Sequence, residues 1–246
     1  MAIVDLSGSI EPNAEIELNY YDHSTGARQI SDMFNIPPAL LKDGEGWTVE
    51  EFTRFHTHSC THVDAPWHYN SRIAGKPAPT IDELPLEWFF ANGVVLEMRH
   101  KGQGDAVTIA DIEKELSRIQ YRLTPLDIVL VRNGQDQYFT AADYMHRGCG
   151  VTADATRWLY DKGIRVMGID CWGWDRPLYL QAEKALESNQ KGVFWEAHQA
   201  DIAYCQIERM VNLDALPAKG FKVACFPLKI KRASGAPARV VAMLPD

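Results

Sequence analysis

Eleven residues, running His58-Ser-Cys-Thr-His62-Val-Asp64-Ala-Pro-Trp-His68, hold three histidines and an aspartate. Neutral imidazole and carboxylate together suit a divalent transition metal, and imidazole also carries protons near neutral pH. A lone histidine is usually structural; this density argues for a metal. His62 and Asp64 are two apart, so in an extended segment both point to one side. His58 and His62, four apart, would share a face on a helix. Here Thr57, Ser59, Cys60, Thr61 and Val63, with Pro66 close behind, favour extended or turning backbone instead. A turn near Cys60 and Thr61 lets His58 join the other two. The result is a two-His, one-carboxylate set with open coordination positions, able to activate water and polarise a carbonyl. A fourth ligand so close would leave little room for water, so His68 reads as a general acid/base. His56 reads as a structural histidine.

The elements around the motif follow from apolar patterning. Strand-length β-branched runs recur at Ile3–Leu6, Val94–Met98, Ile128–Val131, Val166–Ile169, Val223–Ile230 and Val240–Leu244, bounded by turn formers. Ile109, Ile112, Leu116 and Ile119 keep helical spacing, with Thr108 and Asp111 as a capping box. A second helix is expected from Thr152 to Lys162, ended by Gly163, and a third from Pro177 to Glu187. Strands and helices alternate in the middle while strands dominate both ends, which indicates a mixed α/β domain. The motif is expected at the end of a strand over 48–57, running into a loop.

The chain has 246 residues, 46% of them hydrophobic and 24% charged, enough for one domain with a sizeable core. No internal repeat or linker is visible, and a single domain over 1–246 is expected. The net charge of -8 argues against nucleic acid as a partner. No run is apolar and long enough for a membrane span, and the start lacks the pattern of a signal peptide, so a cytoplasmic protein is expected. Five scattered cysteines with no Cys-x-x-Cys pair read as reduced, mostly buried thiols.

The motif resembles the signature of the cyclase-like metal-dependent hydrolases, the family containing bacterial kynurenine formamidase and isatin hydrolase. That signature reads His-x-Gly-Thr-His-x-Asp-x-Pro-x-His. The chain matches it at His58, Thr61, His62, Asp64, Pro66 and His68, and departs at Cys60, where the family has glycine. The likeness continues at Val4–Ser7, Gly163–Asp170, Ala197–Leu213, Phe226–Lys229 and the final strand, so it spans nearly the whole chain.

The resemblance implies a compact β/β/α fold, a mixed sheet with flanking helices, and a homodimer or homotetramer. It implies one or two divalent ions, Zn2+ or Mn2+, with His198 and Glu208 completing the site, although their spacing is shorter than in the family. It implies hydrolysis of a C–N amide bond in an aryl formamide, a cyclic imide or an isatin-like lactam. In such a reaction Thr61 would donate to the oxyanion and His68 would pass a proton to the leaving nitrogen. Of the tryptophans near the motif or a strand end (Trp47, Trp67, Trp172, Trp174, Trp195), most are ordinarily core. Trp67, beside His68, and Trp172 and Trp174, after Asp170 at a strand end, are read as lining a pocket for an apolar or aromatic small molecule. Two other readings compete: an oxygenase with a two-His, one-carboxylate iron site, and an inactive binding protein on the same fold.

Overall fold

The structure, a computed structural model, describes residues 1–245. The chain divides into two compact units. One comprises residues 1–9 and the chain from Cys60 onward; the other is Ile10–Ser59. In this smaller unit the strands Glu17–Tyr21 and Val49–Arg54 pair antiparallel. Its helix α1 (His23–Phe34) is capped by Asp22, whose carboxylate accepts the Thr25 N–H at 2.8 Å.

The larger unit is built on one nine-stranded sheet. Its strands, in chain order, are β1 (Ala2–Asp5), β2 (His62–Asp64), β3 (Phe90–Glu97), β4 (Ile128–Arg132), β5 (Val166–Ile169), β6 (Cys205–Glu208), β7 (Phe221–Ala224), β8 (Gly235–Pro237) and β9 (Val241–Leu244). Across the sheet the order is β1-β9-β7-β3-β4-β5-β6-β2-β8. The four strands β3 to β6 run parallel, and antiparallel strands flank them on both sides. Parallel strands are covered on both faces, which is why β4 reads Ile-Val-Leu-Val without a polar break.

Alternate residues of these strands feed two cores. Val94, Leu96, Val129, Val131, Met167 and Ile169 pack on the face that carries helices α3 (Ile109–Arg118) and α4 (Ala153–Asp161). Val95, Ile128, Leu130 and Val166 pack on the other face with Val63, Ile207, Phe221 and Val223. Each fully buried aliphatic side chain contributes about 1.5–3 kcal/mol of transfer free energy. The expected capping box of Thr108 and Asp111 is present, Thr152 caps α4, and α5 (Leu178–Ser188) ends at left-handed Asn189.

Some local expectations change. The strand before the motif, Val49–Arg54, belongs to the smaller unit, and the motif's own residues His62–Asp64 form β2 within the large sheet. A turn at Thr57–His58 lies between them. The strand ends before Pro66, which opens a four-residue helix, α2 (Pro66–Tyr69), where its missing N–H is no loss. The run Val223–Ile230 keeps strand form only to Ala224; beyond it Pro227 makes a single bridge to Ala238.

Candidate metal centre

The site follows from strand register. β2 and β6 pair antiparallel with Asp64 opposite Gln206, Val63 opposite Ile207 and His62 opposite Glu208. With a side-chain period of two, Val63 and Ile207 enter one core while His62, Asp64, Gln206 and Glu208 share the opposite, helix-bearing face. All four are buried. The His62 Nε2 lies 3.1 Å from the Asp64 Oδ1 and 3.8 Å from the Glu208 Oε2. Its Nδ1 lies 2.8 Å from the Cys60 carbonyl oxygen. That contact assigns the ring hydrogen to Nδ1 and leaves the Nε2 lone pair facing the carboxylates.

A second histidine enters from the chain after α5. The His198 Nε2 lies 3.3 Å from the Glu208 Oε1 and 3.9 Å from the Asp64 Oδ2. Its Nδ1 lies 2.5 Å from the Asp175 carboxylate. The Trp195 ring stacks on the His198 ring at 4.5 Å and 22°. His68 meets Trp195 edge-on at 5.2 Å. A His68 ring nitrogen also lies within 4.8 Å of an Asp64 carboxylate oxygen.

Electrostatics then tests whether these residues fit a metal. His62, Asp64 and Glu208 each offer a ligand atom within 4.8 Å of the others. Two carboxylates buried side by side, each facing the Nε2 of both histidines, need positive charge between them, supplied by protons on the rings or by a metal ion in their place. The titration behaviour reflects the same demand. Burial opposes protonation of His62, yet the Asp64 and Glu208 charges lift its pKa above the ordinary value. His198 is likewise opposed by burial and lifted by Asp175 and Glu208, to about 10. Imidazole and carboxylate oxygen are ligands for divalent metals, so His62, Asp64 and Glu208, with His198 beside them, fit a site that could hold one.

The remaining predicted residues fall as follows. His58 lies in the smaller unit, in its closing turn, where the Ser59 N–H donates to the His56 carbonyl at 3.0 Å. Thr61 is buried, and its hydroxyl accepts the Gly8 N–H at 2.9 Å and donates to the Arg209 carbonyl at 2.6 Å. Its one hydrogen is thereby engaged, so Thr61 clasps two chain segments rather than standing ready as an oxyanion donor. Trp67 is exposed on α2. Trp172 is half-buried beneath the Arg209 guanidinium, 5.1 Å from the ring centre. Trp174 does not line a pocket. Its ring is fully buried in the core, with Nε1 donating to the Thr156 hydroxyl at 2.9 Å. Only its backbone reaches the site, donating to the Glu208 Oε1 at 2.9 Å. Asp175 and the indole of Trp195, by contrast, stand at the site without having been singled out. The one sequence signal for Asp175 is a carboxylate soon after the strand-end Asp170.

The family model described as "Putative cyclase" matches residues 4–176. The chain belongs to this cyclase family. Isatin hydrolase from Roseibium aggregatum is 28% identical over 268 residues, spanning 99% of this chain and 92% of that protein. Isatin hydrolase A from Labrenzia aggregata, solved with benzyl benzoate bound, superposes with a TM-score of 0.76 at 25% identity, covering 100% of this chain and 94% of that one. A structure described as a potential metal-dependent hydrolase with cyclase activity shares the fold, with a TM-score of 0.64 at 21% identity over 100% of this chain and 98% of that one. Family membership, the likeness to a hydrolase and the buried donor set together support a hydrolase that works with a divalent metal.

Proposed function

We propose that the protein hydrolyses a C–N amide bond in an aryl formamide, a cyclic imide or an isatin-like lactam. The observation that carries the reading is the convergence of His62, Asp64, His198 and Glu208 on one buried face. The similarity to isatin hydrolase over 99% of the chain supports the substrate class. His58 has the place of a ligand in the signature motif, and on that ground alone it is a further proposed ligand. The ions are Zn2+ or Mn2+, one or two per chain. Such an ion, when bound, lowers the pKa of water and polarises a carbonyl.

The chain's own residues do the rest. Asp64 and Glu208 each face both histidines, so they hold the cluster together. His68 is half-buried, leans edge-on against Trp195 and stays near the Asp64 carboxylate. It is the proton carrier, giving a proton from a ring nitrogen to the departing amine. Trp195 and Trp67 offer aromatic surface beside it for a planar substrate. The four buried donors exceed the three of an oxygenase triad, which favours the hydrolase reading. We also place the protein in the cytoplasm as a homodimer or homotetramer acting on a small molecule. Among the described residues no helix is long and apolar enough to cross a membrane.

The test uses the purified full chain, stripped with chelator and reloaded with Zn2+ or Mn2+. It is assayed against N-formylkynurenine, isatin and a set of cyclic imides. Metal-dependent turnover is expected on at least one, with His68→Gln lowering kcat by about 100-fold or more while metal content stays. A metal-replete protein inert toward every one of them overturns the reading.

A further inference from the structure

The two histidines of the cluster are held from behind by different partners. The His62 Nδ1 rests on a neutral backbone carbonyl, that of Cys60. The His198 Nδ1 rests on a buried carboxylate, that of Asp175. The carboxylate is itself fixed: Oδ2 also accepts the His198 N–H at 3.0 Å, and Oδ1 accepts the Ala197 N–H and the Gln181 side-chain amide, each at 3.0 Å. Gln181, fully buried on α5, carries the arrangement further. Its Nε2 also donates to the Arg176 carbonyl at 2.9 Å, and its Oε1 accepts the Trp195 N–H at 2.6 Å and the Glu196 N–H at 3.4 Å. Trp195 adopts a left-handed backbone, φ 62°, which a bulky residue keeps only when its surroundings enforce it.

We propose that Asp175 and Gln181 are positioning residues: they hold the segment from Trp195 to His198 so that the His198 Nε2 is presented to Asp64 and Glu208 as a ligand. The inference rests on the metal reading of the cluster and deepens it. A carboxylate behind a ligating imidazole fixes the tautomer and raises the ring's basicity, and losing such a partner commonly weakens metal binding 10- to 100-fold. A carbonyl supplies only the orientation. The His198 side of the cluster is therefore the side whose affinity depends on a residue remote from the metal. The same clamp sets the Trp195 ring, which stacks on His198 and meets His68 edge-on, so slackening it displaces ligand and aromatic wall together.

The test is chelator competition with Mn2+ and Zn2+ on wild type, Asp175→Asn and Gln181→Met. It is accompanied by the visible spectrum of each Co2+-loaded protein and the melting temperature of each metal-free protein. D175N is expected to lose at least tenfold in affinity and to show an altered Co2+ spectrum. Q181M keeps the carboxylate and is expected to shift both readouts in the same direction by less, which preserves the test should D175N fail to fold. Wild-type affinity and spectrum in the folded variants, with only the melting temperature lowered, overturn the proposal and leave the metal reading standing. A wild type that binds none of the three ions overturns the metal reading and, with it, this one.

Discussion

Glu208 stands directly opposite His62 across the antiparallel pair of β2 and β6, its Oε2 3.8 Å from the His62 Nε2. One register thus joins residues far apart in sequence into a single donor set, and it also keeps two buried carboxylates, those of Asp64 and Glu208, on the same face. The arrangement favours a bound cation and strains the metal-free state. Glu208→Gln preserves the shape, and its amide oxygen can still accept the Trp174 N–H. The variant is expected to lose at least tenfold in metal affinity. Elemental analysis and chelator competition check it; a variant that binds metal as tightly as wild type removes Glu208 from the ligands.

Trp174 separates a core role from a substrate role. Its ring is fully buried and its Nε1 donates to Thr156, so Trp174→Phe leaves a cavity and an unmade bond. A loss of about 1–3 kcal/mol in unfolding free energy is expected, with KM unchanged within about twofold. A raised KM at unchanged stability would return the ring to the pocket.

Thr61 is tested by Thr61→Val, which keeps the shape and removes the bonds to Gly8 and Arg209. A cost of about 1–3 kcal/mol to stability is expected. Turnover by the folded protein should fall by less than about tenfold, whereas removing an oxyanion donor costs on the order of 100- to 1000-fold. Urea unfolding and kcat measured on one preparation distinguish the two.

These cases mark what the sequence makes legible. The central strands announce themselves because parallel strands buried on both faces must be apolar throughout, as Ile128–Val131 and Val166–Ile169 are. Helices α3 and α4 announce themselves through caps that act locally. β2 and β6 do not: His-Val-Asp and Cys-Gln-Ile-Glu do alternate, but three or four residues are too few to stand out, and their polar face is buried where such a pattern would ordinarily signal solvent. The spacing of His62 and Asp64 was readable because both lie on one strand. The meeting of His198 with Glu208 depends on a strand pairing, which leaves no local trace, and on Asp175, whose only trace is its place soon after Asp170. Trp174 and Trp195 show the same limit: both are tryptophans near the site in sequence, and only packing decides which ring faces it.

Asp170 gives a pH test away from the ligands. Burial is the largest influence on its carboxyl and pushes the pKa to about 7, against the opposing N–H bonds from Asn133 and Gly134. Between about pH 4 and 7 the folded protein therefore keeps a proton that the unfolded chain has released. Stability from this group is full below about pH 4 and is lost as pH rises through about 7. Asp170→Asn is neutral at every pH. The difference in unfolding free energy, variant minus wild type, is thus expected to move in the variant's favour by about 2.5 kcal/mol between pH 5 and pH 8. Urea unfolding at the two pH values measures it, and a difference that stays flat or moves the other way refutes the raised pKa.

Cys60 stands where the family signature has glycine, and its backbone explains the preference. Its φ is 54°, in the left-handed region, and its carbonyl is the group that holds the His62 Nδ1. A Cβ in this conformation costs about 1–2 kcal/mol. Cys60→Gly removes that strain but gives the unfolded chain more freedom, worth about 0.5–1 kcal/mol, and gives up a buried thiol. The terms nearly offset, so stability is expected to stay within about 1 kcal/mol of wild type, with metal content and turnover intact. Cys60→Val adds a branched Cβ to the same φ and should be clearly less stable. Relaxing toward ordinary backbone would swing the carbonyl off His62, so metal affinity should fall with stability. The expected order is glycine close to cysteine, with valine well below both, in urea unfolding and in chelator competition alike. If C60V proved more stable and more metal-replete than C60G, packing of the side chain, not the turn of the backbone, would be what position 60 contributes.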